Sequence, residues 1–307
     1  MHVSVGIVGF RNVDDVVRCV RAVETSTHGD FDVVICENGG VESHTALTEA
    51  LPATLNGGQS VRIVRASGNI GFPGGVNVCI DEAPDADAWW VLNPDTEPHP
   101  EAMGNLVERL SGSDCDAVGG VLLHDDGTVQ AYGGFWQSWT ARATSLGYGA
   151  PASAVPDRAH IEARQNYLVG ASMMINRRFR DAVGPMRADY FIYCEESEWC
   201  LRALARGMKL GFEPEASVVH HHGTTTGSAR EVRQRPRLPI YLEERNRLLL
   251  TRDCFPGRLP IAAAAALVLI FARFARRGAW RQVAYGLDGW YDGIRDRRGP
   301  PPFLVPH

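Results

Sequence analysis

The chain has 307 residues, of which 45% are hydrophobic and 22% charged, a composition typical of a soluble globular protein with one large domain or two small ones. Its formal net charge of -5 gives no reason to expect a nucleic-acid partner. The seven cysteines are scattered without a CxxC pair, which argues against a disulfide framework or a zinc site and predicts buried thiols in a reducing cytoplasm. The N-terminal "MHVSVGIVGF" has no basic region followed by a longer apolar stretch, so we predict no signal peptide.

The first third of the chain alternates apolar runs with segments of helical pattern. The apolar runs predict strands over 3–9, 32–38, 61–67 and 88–93. The segments between them predict helices over 13–25, 42–51 and 75–83. Near-continuous apolar strands are covered on both faces, so this rhythm predicts an α/β fold with a doubly wound, mostly parallel sheet.

A group of mostly polar residues follows each of these predicted strands. The groups are Phe10 and Arg11, Glu37 and Asn38, Ser67 to Asn69, and Asn93 to Asp95. Ligands of such sheets bind beyond the carboxyl ends of the strands, so we expect all four groups to face one crevice.

The stretch "WWVLNPDTEPHPEA" (89–102) has two interpretations. Asn-Pro and Asp-Thr favour a turn, and Pro98 or Pro100 suits the first turn of a helix, so the segment could simply join a strand to a helix. Alternatively, Asp95 is placed at the crevice to hold a ligand. The stretch alone leaves both open.

Beyond residue 114 the pattern changes to shorter strands and then to helices. A Gly/Trp/Tyr-rich segment at 131–149 predicts a loop or hairpin. Further segments predict a strand entering a helix at 167–177, a helix at 195–207 and a short strand at 216–222. The C-terminal part predicts helices over 240–253, 259–277 and 279–296, followed by a disordered tail at 297–307.

The longest apolar run, Leu259–Phe271, is shorter than the roughly 20 residues needed to span a bilayer. Arg273, Arg276, Arg277 and Arg281 follow it. A core helix with a basic C-terminal turn explains this pattern, and so does a helix that lies on an anionic membrane face.

A glycine-rich segment, "SGNIGFPGGVN" (67–77), lies between a predicted strand and a predicted helix. A helix N-terminus there could offer backbone amides to a phosphate. The spacing is not GxGxxG, so a dinucleotide site is not predicted, and flexible turns explain most such glycines.

The segment "FIYCEESEWCLR" (191–202) places three glutamates at the start of a helix. Negative charge is favoured at that position, and Glu198 and Arg202 can form an i,i+4 pair, so a well-capped helix explains the pattern. Alternatively, one glutamate is a general base, because near-adjacent carboxylates repel and raise the pKa of one of them.

The segment "VVHHHG" (218–223) ends a predicted strand, on which His220 and His222 would share a face. No cysteine or further histidine lies nearby to complete a zinc tetrahedron, so structural histidines explain the tract best when it is taken alone. Together with Asp95 and phosphate oxygens, one histidine could instead hold a hard divalent ion, which often takes few protein ligands.

Taken together and in this order, these segments resemble the family 2 glycosyltransferases, particularly their rhamnosyltransferase-like branch. The resemblance covers about residues 3–296 and is carried by "VGIVGFRN", "VVICENGG", "GNIGFPGGVN", "WVLNPDT", "LVGASMMINR", "FIYCEESEWCLR", "SVVHHHG" and "YLEERNRLLL". Each motif is modest, but the ordered set with matching spacing is specific. The resemblance implies a glycosyltransferase-A fold with a nucleotide-sugar-binding half (1–112), an acceptor-binding and catalytic half (113–238) of the same domain, and a C-terminal helical extension (239–307).

The resemblance also implies an inverting transfer from a nucleotide diphosphate sugar, assisted by Mg²⁺ or Mn²⁺. Asp95 matches the metal-binding carboxylate of the family's D-x-D motif, Asn93 replaces the first acid of that motif, and His220 matches a metal-binding histidine. "CEES" matches the family's pair of acids, which makes Glu196 the catalytic base and Glu195 its partner.

Ligand-binding residues follow from the same resemblance. For the nucleotide sugar they are Arg11, Glu37, Asn38, Asn69, Gly74, Gly75, Asn77, Asn93 and Asp95, with the two glycines beneath the diphosphate. For the acceptor they are Gly170, Ala171, Ser172 and Trp199. Arg245 and Asn246 either close over the diphosphate or anchor the C-terminal helices.

The branch resembled makes dTDP-rhamnose the leading donor, followed by UDP-linked hexoses. The expected acceptor is a saccharide or a lipid-linked saccharide of a cell-surface polysaccharide. The protein would work in the cytoplasm, either free or peripherally on the inner face of the plasma membrane. The oligomeric state stays open, a homo-oligomer included.

Two other functions remain as alternatives. A sugar-1-phosphate nucleotidyltransferase should carry a Gly-rich basic loop after the first strand, where this chain has "GFRNVDD". A non-catalytic nucleotide- or carbohydrate-binding protein is the second alternative, and the presence of Asp95, Glu196 and His220 argues against it.

Overall fold

A computed structural model describes residues 1–221 and 231–304 of the chain. In the first third, strands alternate with helices as the sequence predicts. The strands are β1 (Val3–Gly9), β2 (Phe31–Glu37), β3 (Val61–Arg65) and β4 (Ala88–Leu92). The helices are α1 (Val13–Glu24), α2 (Val41–Ala50) and α3 (Gly71–Asp81). All seven predicted elements are therefore confirmed, although α3 begins earlier than expected.

The remaining elements also follow the predicted pattern, with more strands than expected. The strands are β5 (Thr96–Pro98), β6 (Ala117–Leu123), β7 (Val129–Ala131), β8 (Gly133–Gln137), β9 (Arg142–Leu146), β10 (Ser172–Asn176) and β11 (Leu210–His220). The helices are α4 (Ala102–Ser111), α5 (Arg158–Arg164), α6 (Arg177–Val183) and α7 (Glu195–Ala205). The three C-terminal helices are α8 (Arg237–Cys254), α9 (Leu259–Phe274) and α10 (Trp280–Ile294).

Nine of the eleven described strands form one mixed sheet in the order β3-β2-β1-β4-β10-β6-β11-β5, with β7 beside β6. Strands β3, β2, β1 and β4 are parallel, and β10 runs antiparallel between β4 and β6. The hairpin predicted for 131–149 is formed by β8 and β9, which pair separately. The strand order turns back at β1 and β4, so their carboxyl ends flank the place where such sheets bind ligands.

Helices cover both faces of the sheet, which explains the near-continuous apolar strands. Neighbouring Trp89 and Trp90 of β4 are both buried but belong to opposite core layers. Trp89 packs in the layer of α3 and α7, and Trp90 packs in the layer of α1 and α4. Five of the seven cysteines, all free thiols, are buried in these two layers, as the sequence predicts.

The segment after β4 differs from the prediction. Residues 93–95 lie at a turn as expected, but Thr96–Pro98 forms strand β5 instead of beginning a helix. This strand pairs antiparallel with the end of β11, where Thr96 lies opposite His220. The pairing joins residues distant in the chain, so no local pattern predicts it, and it brings His220 next to the turn that carries Asp95.

The C-terminal tail is ordered as far as the structure describes it. Arg298 forms ion pairs with Asp189 and Asp253, and 302–304 form a turn of 3₁₀ helix. The predicted disorder is therefore wrong for 297–304, because ionic contacts with the body of the protein hold this segment.

Helix α9 and its flanking turns make the longest apolar helical segment among the described residues. The segment Pro256–Arg277 is 22 residues long and, by length and composition alone, could cross a membrane. This helical segment is longer than the apolar run Leu259–Phe271 on which the sequence prediction rests, because the turns on both sides of α9 are helical as well. One face of α9 is nevertheless buried against α8 and α10, through Ala262, Ala263, Ala266, Ile270 and Phe274.

Candidate active site

A cavity of about 400 Å³ opens at the carboxyl ends of β1 and β4, next to the start of α7. All four groups of residues that follow the first strands contribute to it, as predicted. The predicted site residues that line it are Asn38, Asn69, Asn93, Asp95, Gly170, Ala171, Glu195, Glu196 and His220. The rest of the lining is largely apolar, and an apolar cavity with a few convergent polar groups is the usual form of a ligand site.

Glu195 and Glu196 begin helix α7 at one side of the cavity. Burial raises the pKa of Glu195 well above its usual value, and the charge of Glu196 raises it further. Burial also raises the pKa of Glu196. Gly170 packs directly against the side chain of Glu196, since a Cβ added at Gly170 would lie 3.3 Å from the Cβ of Glu196. The pair thus faces the cavity with carboxyl groups that hold a proton more readily than exposed glutamates do.

The backbone that leads into α7 is strained. Phe191, Tyr193 and Cys194 have φ values of 69°, 75° and 69°, in the left-handed region that non-glycine residues rarely adopt. Each such residue costs about 1–3 kcal/mol, so neighbouring structure must hold the loop. On one side, Phe72 N donates a hydrogen bond to Phe191 O at 2.8 Å. Gly71 permits this contact, because a Cβ there would lie 2.3 Å from the same oxygen.

Asn246 of α8 holds the same loop from the other side. Its Nδ2 donates to the carbonyl oxygens of Tyr190, Ile192 and Tyr193 at 2.9, 2.8 and 2.8 Å. Its Oδ1 accepts from Arg245 Nε at 2.9 Å, and an Arg245 guanidinium nitrogen donates to Tyr190 O at 3.0 Å. Both side chains are buried. The two residues therefore anchor the loop, and neither lines the cavity, which favours an anchoring role over the alternative of closing across the diphosphate.

Asp95 and His220 face each other in the cavity. Asp95 Oδ1 lies 3.3 Å from His220 Nε2. On the other side of the imidazole, Nδ1 lies 3.0 Å from Gln130 Oε1, so the ring is held with Nε2 facing the Asp95 carboxylate. Hydrogen bonds of this kind orient the histidines that bind metals. This carboxylate and this imidazole nitrogen could therefore hold a hard divalent cation together.

The pair supplies only two ligands. Within residues 1–221 and 231–304, no group of three or more His, Cys, Asp or Glu side chains is arranged to hold a metal ion. A cation at Asp95 and His220 would therefore depend on oxygen atoms of a bound ligand and on water, which hard divalent ions accept readily. His222, predicted on the same strand face, lies outside the described residues.

The carboxyl ends of β1 and β2 form the other side of the site. Glu37 is fully buried, and its Oε1 accepts hydrogen bonds from the backbone nitrogens of Gly39 and Arg11 at 2.6 and 3.3 Å. Asn38 Nδ2 donates to Gly71 O at 3.0 Å and so ties β2 to the start of α3. Arg11 lines a separate, open cavity of about 630 Å³. Glu37 thus lies at the carboxyl end of β2, on the predicted side of the sheet, but its side chain is buried beneath the protein surface.

The sequence profile of the family described as "Glycosyltransferase like family 2" matches residues 2–238. The chain belongs to the family 2 glycosyltransferases. Among curated proteins, it is similar to the low-salt glycan biosynthesis hexosyltransferase Agl10 of Haloferax volcanii. The two are 22% identical over 249 residues, which cover 78% of each chain.

Solved structures identify the fold of this glycosyltransferase. The mannosyltransferase PcManGT from Pyrobaculum calidifontis, in complex with GDP-Man and Mn2+, has a TM-score of 0.59 and 14% identity over 96% of this chain and 88% of its own. GalNAc-T7 with UDP, GalNAc and Mn2+ also has a TM-score of 0.59, with 16% identity over 81% of this chain and 51% of its own. The fold is the glycosyltransferase-A fold, as the sequence predicts.

Three residues predicted to bind the nucleotide sugar instead serve the packing of the glycosyltransferase. Gly74 and Gly75 lie inside α3, and a Cβ on Gly75 would lie 2.6 Å from a methyl carbon of Val8. Glycine is needed at position 75 because α3 approaches β1 closely, and neither glycine lines the cavity. Asn77 binds both backbone groups of Met186, at 2.8 and 2.9 Å, and its amide is thereby directed away from the cavity.

Two residues predicted to contact the acceptor belong to the core. Ser172 lies in β10, where its hydroxyl accepts a hydrogen bond from Trp90 Nε1 at 3.0 Å. Trp199 is fully buried, donates to Gly184 O at 2.9 Å, and meets the ring of Phe179 edge to face at 4.9 Å. An indole held on all sides by the protein has no face left for a sugar, so these two predictions are corrected.

The structure adds lining residues to which the sequence assigned no role. Among them are Gln130, Phe191, Tyr193, Leu238 and Leu304. Phe191 and Tyr193 belong to the segment "FIYCEESEWCLR", in which only the acids and Trp199 were assigned a role. The other three come from β7, the first turn of α8 and the C-terminal tail, and no local motif of the glycosyltransferase marks them.

Replacing Asn246 with alanine is expected to lower kcat by up to about 100-fold while leaving the Kd of the donor nearly unchanged. Alanine cannot donate to the loop carbonyls, so the strained loop relaxes and the carboxylates of Glu195 and Glu196 shift. Steady-state kinetics and a calorimetric titration on the same preparation measure the two quantities separately.

Thr251→Ala provides a matched control for this variant. It removes another buried polar side chain of α8, whose hydroxyl donates to Arg247 O of the same helix. The control should lower the melting temperature without lowering the kcat of the folded protein. Equal losses of kcat in both variants would show that Asn246 has only a general stabilising role.

Proposed function

We propose that the protein transfers a hexose, with inversion, from a nucleoside diphosphate sugar to a hydroxyl group of a saccharide or lipid-linked acceptor in cell-surface polysaccharide synthesis. One observation carries the proposal. A pair of carboxyl groups with raised pKa and a facing carboxylate–imidazole pair line the same cavity of a glycosyltransferase-A fold. The first pair suits proton acceptance, and the second suits a charged phosphate group held by a cation.

Glu196 is the general base in this proposal. As the acceptor oxygen attacks the anomeric carbon, its proton passes to the Glu196 carboxylate, and the bond between that carbon and the diphosphate oxygen breaks on the opposite face. Burial raises the pKa of Glu196, and the charge of Glu196 in turn raises the pKa of the neighbouring Glu195, because two adjacent carboxylates resist simultaneous ionisation. Gly170 and Ala171 leave room for the acceptor beside the base.

Asp95 and His220 are the proposed ligands of Mg²⁺ or Mn²⁺. The donor set fits such an ion, since Gln130 fixes the imidazole with Nε2 directed at the Asp95 carboxylate. A bound ion would neutralise charge on the departing nucleoside diphosphate. Asn93, whose Nδ2 lies 3.4 Å from His220 Nε2, occupies the position of the first acid of the family's D-x-D motif.

The proposed nucleotide site lies across the ends of β1, β2 and α3. Arg11 and Glu37 border the region of the base, while Asn38 and Asn69 reach the cavity itself. The leading donor is dTDP-rhamnose, on the resemblance to the rhamnosyltransferase-like branch, with UDP-linked hexoses next. In the same proposal, 1–112 bind the nucleotide sugar, 113–238 bind the acceptor, and 239–307 form an extension beyond the matched family region.

A thermal-shift screen of nucleotide sugars, with and without Mn²⁺, tests the proposal first. A ligand stabilises a protein by RT ln(1+[L]/Kd), about 2.7 kcal/mol at 100 times Kd, so the correct donor should stand apart. We expect the largest shift with dTDP-rhamnose plus Mn²⁺, followed by release of nucleoside diphosphate once an acceptor is supplied. A larger shift with a UDP-hexose overturns the choice of rhamnose.

Two results would overturn the transfer reaction itself. Pyrophosphate release from a nucleoside triphosphate would identify a nucleotidyltransferase. Saturable donor binding without turnover, across a panel of saccharide and lipid-linked acceptors, would identify a binding protein.

A further inference from the structure

The outer face of α9 is an uninterrupted apolar stripe. Ile261, Ala264, Val268 and Phe271 are exposed at helical spacing, and the three larger side chains are 56%, 66% and 42% exposed. The opposite face of the helix packs into the protein. At 1.5 Å per residue the stripe extends about 15 Å along the surface. Soluble proteins rarely leave a contiguous apolar surface of this kind without a partner.

Basic and aromatic side chains continue this stripe at the C-terminal end of α9. Arg276, Arg277 and Arg281 are exposed, and Trp280 between them is 65% exposed. Among the residues that the structure describes, no carboxylate lies within 4.0 Å of these three guanidinium groups. Exposed tryptophan next to arginine is the composition found where proteins meet the headgroup layer of a bilayer.

The surroundings of α9 favour a helix that lies on the membrane over one that crosses it. Its inner face is packed against α8, and ion pairs lie at this contact: Arg273 of α9 pairs with Glu243 of α8, and Arg247 pairs with Glu244 within α8. Moving these charges into hydrocarbon would cost several kcal/mol each, whereas a helix lying in the interface leaves them in place.

The basic end of α9 lies on the cavity side of the C-terminal helices. Phe274 of α9 packs with Ile240 in the first turns of α8. Leu238, two residues earlier on α8, lines the cavity. A surface bound through this end would therefore hold the cavity close to the plane of the headgroups.

From these observations we infer that the outer face of α9, together with Trp280 and the three arginines, docks the protein on the surface of an anionic lipid bilayer. The apolar stripe enters the boundary between headgroups and acyl chains, and the arginines pair with lipid phosphates. The inference concerns a surface outside the cavity, so a binding measurement tests it whether or not sugar transfer is demonstrated.

Vesicle flotation of the full chain is the direct test. Wild-type protein should float with vesicles that contain phosphatidylglycerol and remain largely unbound with pure phosphatidylcholine. The double variant Val268→Glu/Phe271→Glu should lose binding to the anionic vesicles by at least about tenfold, since two charges replace apolar contacts. Replacing each arginine by Gln should weaken binding by about fivefold.

Val155→Glu is the matched control, because it adds a carboxylate at a side chain that is 91% exposed and distant in sequence from α9. It should float as wild type does, and circular dichroism should show that all variants are folded. Equal flotation of wild type and the double variant overturns the inference. So does a wild-type dimer that ignores vesicles and that the double variant converts to a monomer, since a second copy of the chain would then cover the stripe.

Discussion

Glu196→Gln is expected to lower the rate of sugar transfer by about 10²–10⁴-fold, the contribution typical of a general base, and to leave donor binding intact. The amide fills the same volume beside Gly170 but cannot take a proton from the acceptor hydroxyl. The change should also remove the rising limb of the pH–rate profile. That limb is expected because the base must be ionised, and burial raises the pKa at which Glu196 ionises. Initial rates from pH 5 to 9, with the Kd of the donor measured alongside, check this result.

Glu198→Gln is the matched control for this experiment. It makes the same substitution two residues further along α7, on a different side of the helix, where the carboxylate pairs with Arg202 instead of lining the cavity. The control should unfold at a lower temperature while keeping its kcat and pH profile. Turnover retained in Glu196→Gln, or lost equally in Glu198→Gln, would remove Glu196 from the role of base.

Asp95→Ala should show the second large effect, a loss of at least about 100-fold in affinity for Mn²⁺ in the presence of the donor, with a parallel loss of transfer. Only two side chains are proposed to hold the ion, so removing the carboxylate leaves His220 as its single protein ligand. Calorimetric titration of Mn²⁺ into protein saturated with nucleoside diphosphate measures the affinity directly, and the metal dependence of the rate confirms it.

Asp125→Ala controls for the general loss of negative charge in this region. Asp125 is an exposed carboxylate that pairs with His221. His221 directly follows His220, the last residue of β11. We expect the Asp125→Ala variant to bind Mn²⁺ as tightly as the wild-type protein does. If both variants bind the ion equally well, Asp95 is not a ligand, and metal assistance must be sought elsewhere or abandoned.

Sequence reasoning was most successful where local pattern and topology determine position. The four apolar strands are readable because both faces of each are buried, and a parallel sheet then brings their carboxyl ends to one edge. Asn93 and Asp95 were found this way. Glu196 and His220 came from the ordered motifs, and the structure places both in the predicted cavity.

The failures have two physical causes. Gly75 and Asn77 lie in a glycine-rich segment at a helix start, and the same residue types serve close backbone packing as well as phosphate binding, so sequence alone does not separate the roles. The second cause is distance along the chain. Gln130 meets His220 from 90 residues away, and Asn246 meets Ile192 from 54 residues away, which no local periodicity reveals.

The contacts of Arg245 have a practical consequence for defining the catalytic unit. One guanidinium nitrogen donates to Gly299 O at 2.7 Å and another to Tyr190 O. Arg245 thus connects the C-terminal tail to the loop that leads into α7. The family match nevertheless ends at residue 238. A fragment cut at that boundary would keep most of the cavity lining, but it would lose Leu304 from that lining and would lose the side chains that hold the loop leading to the proposed base. Its inactivity would then report the loss of those side chains and say nothing about the competence of the catalytic groups, so the extension belongs in the smallest unit worth assaying.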